Sequence, residues 1–398
     1  MQLFLHLKNI MHIVIIIKRC INMNKKYKIL YIVSTLKRSG PTNQLYGIIS
    51  NLDRNKFEPY ILTLSPEEHD TRIEEFTKLK LNIYSLNLSR IKMVFSGKKL
   101  LLEYVNEIRP DIIHTSGIRA DFYVHKYLNE YLHCNTLHNY PYEDYIMTYG
   151  NIKGFIIATT HMKILREMKY PIACSKSITE KIFNNHGFKI EYVQNGVDEK
   201  QYRICTFTEK NVLRKKLNID VHKIVIISSG NLSERKDPIT LLRAFNQADL
   251  KSKAQLLVLG DGPLEKECKE FENNSIKLIG RVENVHEYLM ASDIFVSASK
   301  AEGLPMAVLE AIASGLYVIL SNIDSHIEVL EKDHNIGEIF KVEDVNQLTE
   351  ILNNICNIDL KTKAMQIRNV FEKYFTAKIM SQSYQRIYER ILLQSLKI

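Results

Sequence analysis

Two glutamates, Glu302 and Glu310, are separated by seven residues. The apolar run 294–297 before them is typical of a buried strand, and Pro305 and Gly315 mark the two ends of a short helix. Glu302 should then lie in the loop after the strand and Glu310 on the helix. A carboxylate accepts two hydrogen bonds at once, which suits the vicinal hydroxyls of a sugar or ribose. Two exposed glutamates beside a capped helix remain the alternative.

Adjacent cations, Arg235 and Lys236, follow another apolar run, 224–229. Their charges could neutralise a diphosphate leaving group as negative charge develops on it. Pro238 places the beginning of a helix just after them. Cations at that end of a helix oppose its dipole, which argues mildly against a plain solvated loop.

Two further candidate positions, Gly40 and His138, carry weaker sequence evidence for a function. Gly40 permits a tight turn after the first apolar run, and Pro41 can begin a helix there. A simple turn explains this loop equally well. His138 ends a short apolar run, where a histidine is more often a structural residue than a functional one.

The elements that must position these residues follow from the alternation of apolar runs and helical patterns. The 398 residues suggest two or three domains at about 150 residues each. Strand, helix and strand in succession predict parallel α/β sheets, and the alternation restarts after a polar stretch near 200–215. We therefore expect an extension over 1–24, a first domain over 25–203 and a second over 204–382. The predicted strands are 29–34, 60–64, 83–86, 111–115, 172–175, 192–194, 224–229, 255–259, 276–279, 295–297 and 318–320.

Composition excludes several classes of protein. The net charge is +9, and the first 50 residues hold eight basic and no acidic side chains. This local excess of positive charge favours binding to an anionic surface or to phosphates, and nothing indicates nucleic-acid binding.

The six cysteines include no C-x-x-C pair, which indicates thiols in a reducing cytosol and argues against structural zinc. No apolar run approaches the ~20 residues of a membrane helix, and residues 1–22 fit a signal peptide poorly. That segment is either an unstructured upstream extension or a basic apolar segment on a membrane surface.

The string from Glu302 to Ala311, E-G-L-P-M-A-V-L-E-A, resembles the signature of glycosyltransferase family 4. Members of that family are retaining enzymes of the GT-B fold that use nucleotide sugars. The resemblance covers nearly the whole chain from about residue 25 and is strongest over 195–198 and 224–330. It implies an α/β fold of two tandem Rossmann-like domains, with a C-terminal helix, about 383–398, that crosses back to the first domain.

The resemblance also implies roles for the candidate residues. Glu302 would contact the hydroxyls of the donor sugar, Glu310 the ribose, and Lys236 the diphosphate. Asn231 stands where the family often has an arginine, for which Arg235 could compensate. The remaining positions would bind the donor (Gly40, Gly262, Val282, Gly303, Leu304), line the sugar site (His138) or shape the acceptor side (Thr115, Arg119).

The sequence therefore predicts a hexosyltransferase that moves a sugar from a nucleotide donor, expected to be UDP-linked, to a glycan or lipid-linked acceptor. By analogy, its role would be in bacterial surface polysaccharide synthesis, such as capsule or O-antigen, in the cytoplasm or at the inner face of the membrane. No D-x-D spacing occurs, which favours metal-independent chemistry without a cofactor. Two alternatives stay open: a nucleotide-sugar 2-epimerase of the same fold, and a non-catalytic partner subunit.

Overall fold

Two parallel β-sheets, each with helices on both faces, form two domains in the computed structural model, which describes residues 26–250 and 252–395. This confirms the predicted α/β fold class. The expected extension 1–24 lies outside the described residues. The domain limits 25–203 and 204–382 remain predictions.

The first sheet has the strand order β3-β2-β1-β4-β5, and all neighbouring strands are parallel. A short parallel pair, β6 and β7, adjoins it through a bridge between Leu137 and Ala173. The strands are β1 Tyr27–Val33, β2 Phe57–Thr63, β3 Asn82–Ser85, β4 Ile112–Ser116, β5 His133–Thr136, β6 Ile172–Ala173 and β7 Glu191–Tyr192.

Alternate residues of β1 explain why its sequence is apolar throughout. Ile29 and Tyr31 pack into one core cluster, and Leu30 and Ile32 pack into another on the opposite face. The helices of this domain are α1 Gly40–Ser50, α2 Ile73–Lys78, α3 Arg90–Ile108, α4 Ile118–Tyr127, α5 Pro141–Tyr149, α6 Asn151–Glu167 and α7 Lys176–His186. Helices α1 and α2 cover the first face, and α3 and α4 cover the second.

The second sheet is also parallel, in the order β10-β9-β8-β11-β12-β13. Its strands are β8 Ile224–Ser229, β9 Ala254–Leu259, β10 Ile276–Gly280, β11 Ile294–Ser297, β12 Tyr317–Ser321 and β13 Gly337–Phe340. The helices are α8 Phe207–Lys216, α9 Pro238–Gln247, α10 Glu265–Lys269, α11 Val285–Ala291, α12 Met306–Ala313, α13 Asp324–Leu330, α14 Val345–Asn354 and α15 Leu360–Tyr374, with 3-10 turns at His334–Ile336 and Ile355–Asn357.

Two strands were absent from the prediction, because neither has a run of apolar residues. Strand β5 is mostly polar. Its Asn135 is buried, and the side-chain amide donates a 3.0 Å hydrogen bond to Asp121. Strand β13 begins at Gly337, where a Cβ would lie 2.2 Å from the carbonyl oxygen of Val318. Tertiary partners, rather than local hydrophobicity, make both segments strands.

The last helix, α16 (Ala377–Ser395), crosses back to the first domain, as the resemblance implies, and begins before residue 383. Its Tyr388 hydroxyl lies 2.6 Å from Nδ1 of buried His114, and its Tyr384 hydroxyl lies 2.8 Å from that of Thr136. Ser381 donates a 2.7 Å hydrogen bond to the carbonyl of Ile48 on α1. The helix therefore completes the first domain's core.

Candidate active site

A cleft of about 910 Å³ separates the two domains, at the carboxyl edges of their sheets. Ligands of doubly wound α/β folds bind at this edge, and the volume suits a molecule larger than a simple sugar. Most of the residues singled out in the sequence line it: Gly40, His138, Asn231, Arg235, Lys236, Val282, Glu302, Gly303, Leu304 and Glu310.

Glu302 lies at the centre of a charged cluster. Its carboxylate is 2.9 Å from Nη1 of Arg235, forms an ion pair with Lys236 and accepts a 3.0 Å hydrogen bond from Ser299. Arg235 is fixed further by a 2.9 Å hydrogen bond from Nη1 to the carbonyl of Ala301. Burial alone would raise the pKa of Glu302, but Lys236 and Arg235 outweigh it and lower the pKa to about 2. Glu302 is therefore ionised at every physiological pH.

Glu310, on α12, is in the opposite electrostatic situation. Burial raises its pKa to about 7, although the side chains of Tyr202 and Asn43 donate hydrogen bonds to it. The side chain of Glu310 can therefore exchange a proton near neutral pH. Tyr202 and Asn43 were missed by the sequence analysis, because no local motif links them to Glu310.

The loop before α12 is joined to the first domain by polar side chains. Asn195 donates a 2.8 Å hydrogen bond to the carbonyl of Leu304, and Gln44 donates one of the same length to Asn195. Both Asn195 and Gln44 are buried. The N-G-V-D segment at 195–198 therefore holds the glutamate loop against α1.

His138 lines the first-domain wall of the cleft, and its Nε2 lies 2.7 Å from the hydroxyl of Ser116. Burial lowers the pKa of His138 to about 4. The imidazole is consequently neutral at physiological pH, so it can take part in hydrogen bonds without adding charge to the site.

Ion pairs join the two domains beside the cleft, and no sequence motif predicts them. Arg281, after β10, pairs with Asp70 of the first domain. Arg38, in the loop after β1, lies 3.4 Å from Asp70 and 4.0 Å from Glu283 of the second domain. At the beginning of α1, Gly40 lies close to Met306 of the second domain, since a Cβ on it would be 3.5 Å from that side chain.

Three of the residues predicted for the site lie outside the cleft lining, and their roles stay predictions. Gly262 does not line the cleft: a Cβ there would lie 2.5 Å from the carbonyl oxygen of Leu232, so it allows two loops to pack closely. Thr115 is fully buried, and its hydroxyl forms hydrogen bonds with Asp121 and His133. Arg119 also lies outside the cleft lining.

Within residues 26–250 and 252–395, no group of three or more His, Cys, Asp or Glu side chains is arranged to hold a metal ion. No helix in the described part of the chain is long and apolar enough to cross a bilayer.

Comparison with known families gives two adjoining matches. Residues 38–201 match the family described as Glycosyltransferase Family 4, and residues 209–373 match Glycosyl transferases group 1. Among curated relatives, WclY of Escherichia coli, an O-antigen biosynthesis glycosyltransferase, is 26% identical over 386 residues, which cover 93% of this chain and all of the relative. A UDP-Gal:α-D-GlcNAc-diphosphoundecaprenol α-1,3-galactosyltransferase of the same species is 29% identical over 46% of this chain and 50% of its own.

Solved structures share the fold. Alr3699/HepE of Anabaena, in complex with UDP and glucose, superposes with a TM-score of 0.75 at 17% identity, over 92% of this chain and all of its own. Sucrose-phosphate synthase of Thermosynechococcus elongatus gives a TM-score of 0.77 at 15% identity, with the same coverage of both chains.

Proposed function

Since the chain belongs to glycosyltransferase family 4, among the glycosyl transferases of group 1, we propose that it transfers a sugar from a UDP-linked donor to a lipid-linked glycan. The product would enter a bacterial surface polysaccharide. Support comes from the names of the relatives, which include an O-antigen enzyme and a UDP-galactose-dependent enzyme with a lipid diphosphate acceptor. A fold neighbour whose structure contains UDP and glucose agrees with the donor class.

The observation that carries this proposal is the cluster of Arg235, Lys236 and Glu302 beside the first turn of α12. Two cations and the free N–H groups of a helix terminus form a site for a diphosphate. Gly303 and Leu304 line the same cleft. Glu302, ionised and held by three partners, is positioned to accept hydrogen bonds from sugar hydroxyls.

We infer a front-face reaction with retention of the anomeric configuration. The bond from the sugar's anomeric carbon to the diphosphate oxygen breaks, and a bond from the same carbon to the acceptor hydroxyl forms on the same face. The acceptor proton passes to the departing phosphate. Lys236 and Arg235 would stabilise the charge that develops there. Glu302 is already bonded to both cations and Ser299, so no covalent intermediate on it is proposed.

His138 and Glu310 have separate roles in this proposal. Neutral His138 would hydrogen-bond the donor sugar from the first domain, and Glu310 would accept hydrogen bonds from the ribose hydroxyls. We further propose that the reaction needs no metal ion, because cationic side chains neutralise the leaving group. Activity retained after treatment with a chelator would support this part, and activity restored only by a divalent cation would overturn it.

A thermal-shift screen tests the donor class. UDP, GDP, ADP and their sugar conjugates are added to the full chain, and the uridine series should raise the melting temperature. A ligand at one hundred times its Kd stabilises by about 2.7 kcal/mol. No shift with any nucleotide would contradict the donor proposal. Sugar isomerisation without an acceptor would favour a 2-epimerase, and donor binding without turnover on any lipid-linked acceptor would favour a non-catalytic subunit.

A further inference from the structure

The loop 298–305, which carries Glu302 and is called the Glu302 loop below, is bonded to the first domain through a glutamine outside the cleft. Gln44, on α1, is buried and does not line the cleft. Its Nε2 donates a 2.8 Å hydrogen bond to Oδ1 of Asn195, and Nδ2 of Asn195 donates one of the same length to the carbonyl of Leu304. Two buried amides in series therefore connect α1 with the Glu302 loop.

The direction of these hydrogen bonds is determined at the loop. A backbone carbonyl accepts hydrogen bonds and cannot donate one, so Asn195 must turn its NH2 group toward Leu304. The side-chain oxygen of Asn195 then faces α1, and Gln44 must present an NH2 group to it. A side chain of the same shape that only accepts hydrogen bonds would break the series at either position.

Helix α16 supplies a second contact for the Gln44 amide. Nε2 of Gln44 lies 3.5 Å from the hydroxyl of buried Tyr384, which itself lies 2.8 Å from the hydroxyl of Thr136 on β5. Nε2 carries two hydrogens, so it can donate to Asn195 and to Tyr384 at the same time. The bond to Asn195 is the shorter and therefore the stronger of the two. The first-domain core thus fixes the place of the Gln44 amide.

The backbone next to Asn195 is held too closely to adjust. A Cβ on Gly196 would lie 2.3 Å from the carbonyl oxygen of Thr376, just before α16. The N–H of Val197 donates a 2.9 Å hydrogen bond to the carbonyl of Phe375. A reversed amide at Asn195 therefore cannot be absorbed by a shift of its own backbone, and the Glu302 loop has to move instead.

A shift of the Glu302 loop would reach the groups that face the cleft. Leu304 is separated from Glu302 by one residue and from α12 by Pro305 alone. The ring of Pro305 fixes its φ angle, so the loop and the helix turn together. Met306 and Ala307, in the first turn of α12, line the cleft. The position of the Leu304 carbonyl therefore sets both the Glu302 carboxylate and the beginning of α12.

We propose that Gln44 is a positioning residue for the reaction. It sets the direction of the Asn195 amide and thereby holds the Glu302 loop and the first turn of α12 in place against the first domain. Gln44 has no contact with the cleft, so it acts on the reaction through Asn195 and Leu304. The kinetic consequence rests on the proposed function, whereas the effect on the loop does not depend on any substrate.

Hydrogen–deuterium exchange of the full chain, without ligand, tests the effect on the loop. Gln44→Glu keeps the shape of the side chain and removes its donor. The amides of residues 302–307 should then exchange at least about tenfold faster, while those of β8 exchange as in the unaltered chain. Asn195→Asp removes only the bond to Leu304 and should give the same local increase. Gln382→Glu, an exposed glutamine on α16, is the matched control and should change neither.

Calorimetry with UDP and steady-state kinetics with the donor identified by thermal shift test the effect on the reaction. In the proposed donor complex, UDP is held by Lys236, Arg235 and Glu310 of the second domain. Gln44→Glu should therefore change the Kd of UDP by less than about threefold and lower kcat at least about tenfold, because the reacting groups are misplaced. A general loss of stability would not separate kcat from UDP affinity in this way.

The remaining outcomes decide against the proposal or against a defined part of it. Unchanged exchange of residues 302–307 in both variants would overturn it. A loss of UDP affinity as large as the loss of kcat would also overturn it, because Gln44 would then contribute to binding. If Gln44→Glu lowers the melting temperature and speeds exchange in β8, Asn195→Asp, which keeps the glutamine, gives the decisive result. A melting temperature unchanged by UDP and UDP-sugars would refute the proposed function, and exchange at 302–307 would still decide the role of Gln44.

Discussion

Gly303 of the second domain lies directly against the backbone of His138 in the first, so that a Cβ on Gly303 would stand 1.7 Å from the carbonyl oxygen of His138. The sulfur of Cys174 would be 2.9 Å from the same Cβ. No side chain fits between these two backbones. The glycine that follows Glu302 therefore allows the domains to meet at the Glu302 loop, and this contact fixes the width of the cleft there.

Gly303→Ala should disrupt this contact. A carbonyl oxygen on a packed backbone cannot easily move aside. We therefore expect a loss of about 1–3 kcal/mol in the free energy of unfolding, or a separation of the domains with loss of UDP binding. Denaturant unfolding and UDP binding measure the two outcomes. Gly40→Ala is the control for the unfolding measurement alone, since its Cβ would meet the Met306 side chain at an ordinary 3.5 Å. Equal stability of the two variants would contradict the role of Gly303.

Lys236→Ala should lower kcat by about 10²-fold or more, because in the proposed mechanism it removes a charge that stabilises the departing diphosphate. KM for the donor should change less than kcat, since the charge on the diphosphate grows in the transition state. Steady-state kinetics with the identified donor check this. Lys266→Ala, an exposed lysine on α10, is the matched control. A loss of less than threefold would remove Lys236 from the mechanism.

Glu310 should make stability depend on pH. Its pKa is raised from an ordinary 4.5 to about 7, so between these values the folded chain holds a proton that the unfolded chain has released. The stabilisation is fully present below about pH 4.5 and is lost as the pH rises to 7. The free energy of unfolding should fall across this window by up to about 1.4 kcal/mol per pH unit from this residue. Glu310→Gln should remove that part of the slope, and an identical pH profile in the variant would show that Glu310 does not titrate there.

The titration of Glu310 should also change the affinity for the nucleotide-sugar donor. In the proposed donor complex, ionised Glu310 would accept two hydrogen bonds from the ribose hydroxyls, whereas its protonated form would accept fewer. The affinity for a UDP-sugar should therefore rise as the pH increases through 7. A UDP-sugar is the appropriate ligand, because its diphosphate has no terminal group that titrates near neutrality. Calorimetry between pH 6 and 8 measures the change, and Glu310→Gln should flatten it. An affinity that falls with pH would contradict the ribose contact.

Tyr388→Phe should destabilise the first domain. The Tyr388 hydroxyl lies 2.6 Å from Nδ1 of His114 and 3.2 Å from the hydroxyl of Tyr31, and all three residues are buried. Its removal leaves buried polar atoms with fewer partners, at a cost of about 1–3 kcal/mol. Thermal unfolding measures the change, with Tyr192→Phe on exposed β7 as control. If the two variants unfold alike, α16 does not contribute to the first domain through this hydroxyl.

The sequence by itself determined the fold class and most of the cleft's chemistry. Continuous apolar runs specify strands that are buried on both faces, and in parallel sheets the loops after such strands meet at one edge. That rule places Glu302 and Arg235 at one edge of the second sheet without knowledge of any contact. It fails for β5 and β13, whose burial depends on partners distant in the chain.

Only the tertiary structure decided how these residues act on one another. The opposite pKa shifts of Glu302 and Glu310 arise because one carboxylate meets two cations and the other is desolvated with neutral donors. Thr115 lies near the end of β4, where the sequence predicts a residue that shapes the acceptor side. Its hydroxyl instead forms hydrogen bonds with Asp121 and His133. Electrostatic environment and hydrogen-bond satisfaction depend on residues brought together from remote parts of the chain, and spacing along one segment does not encode them.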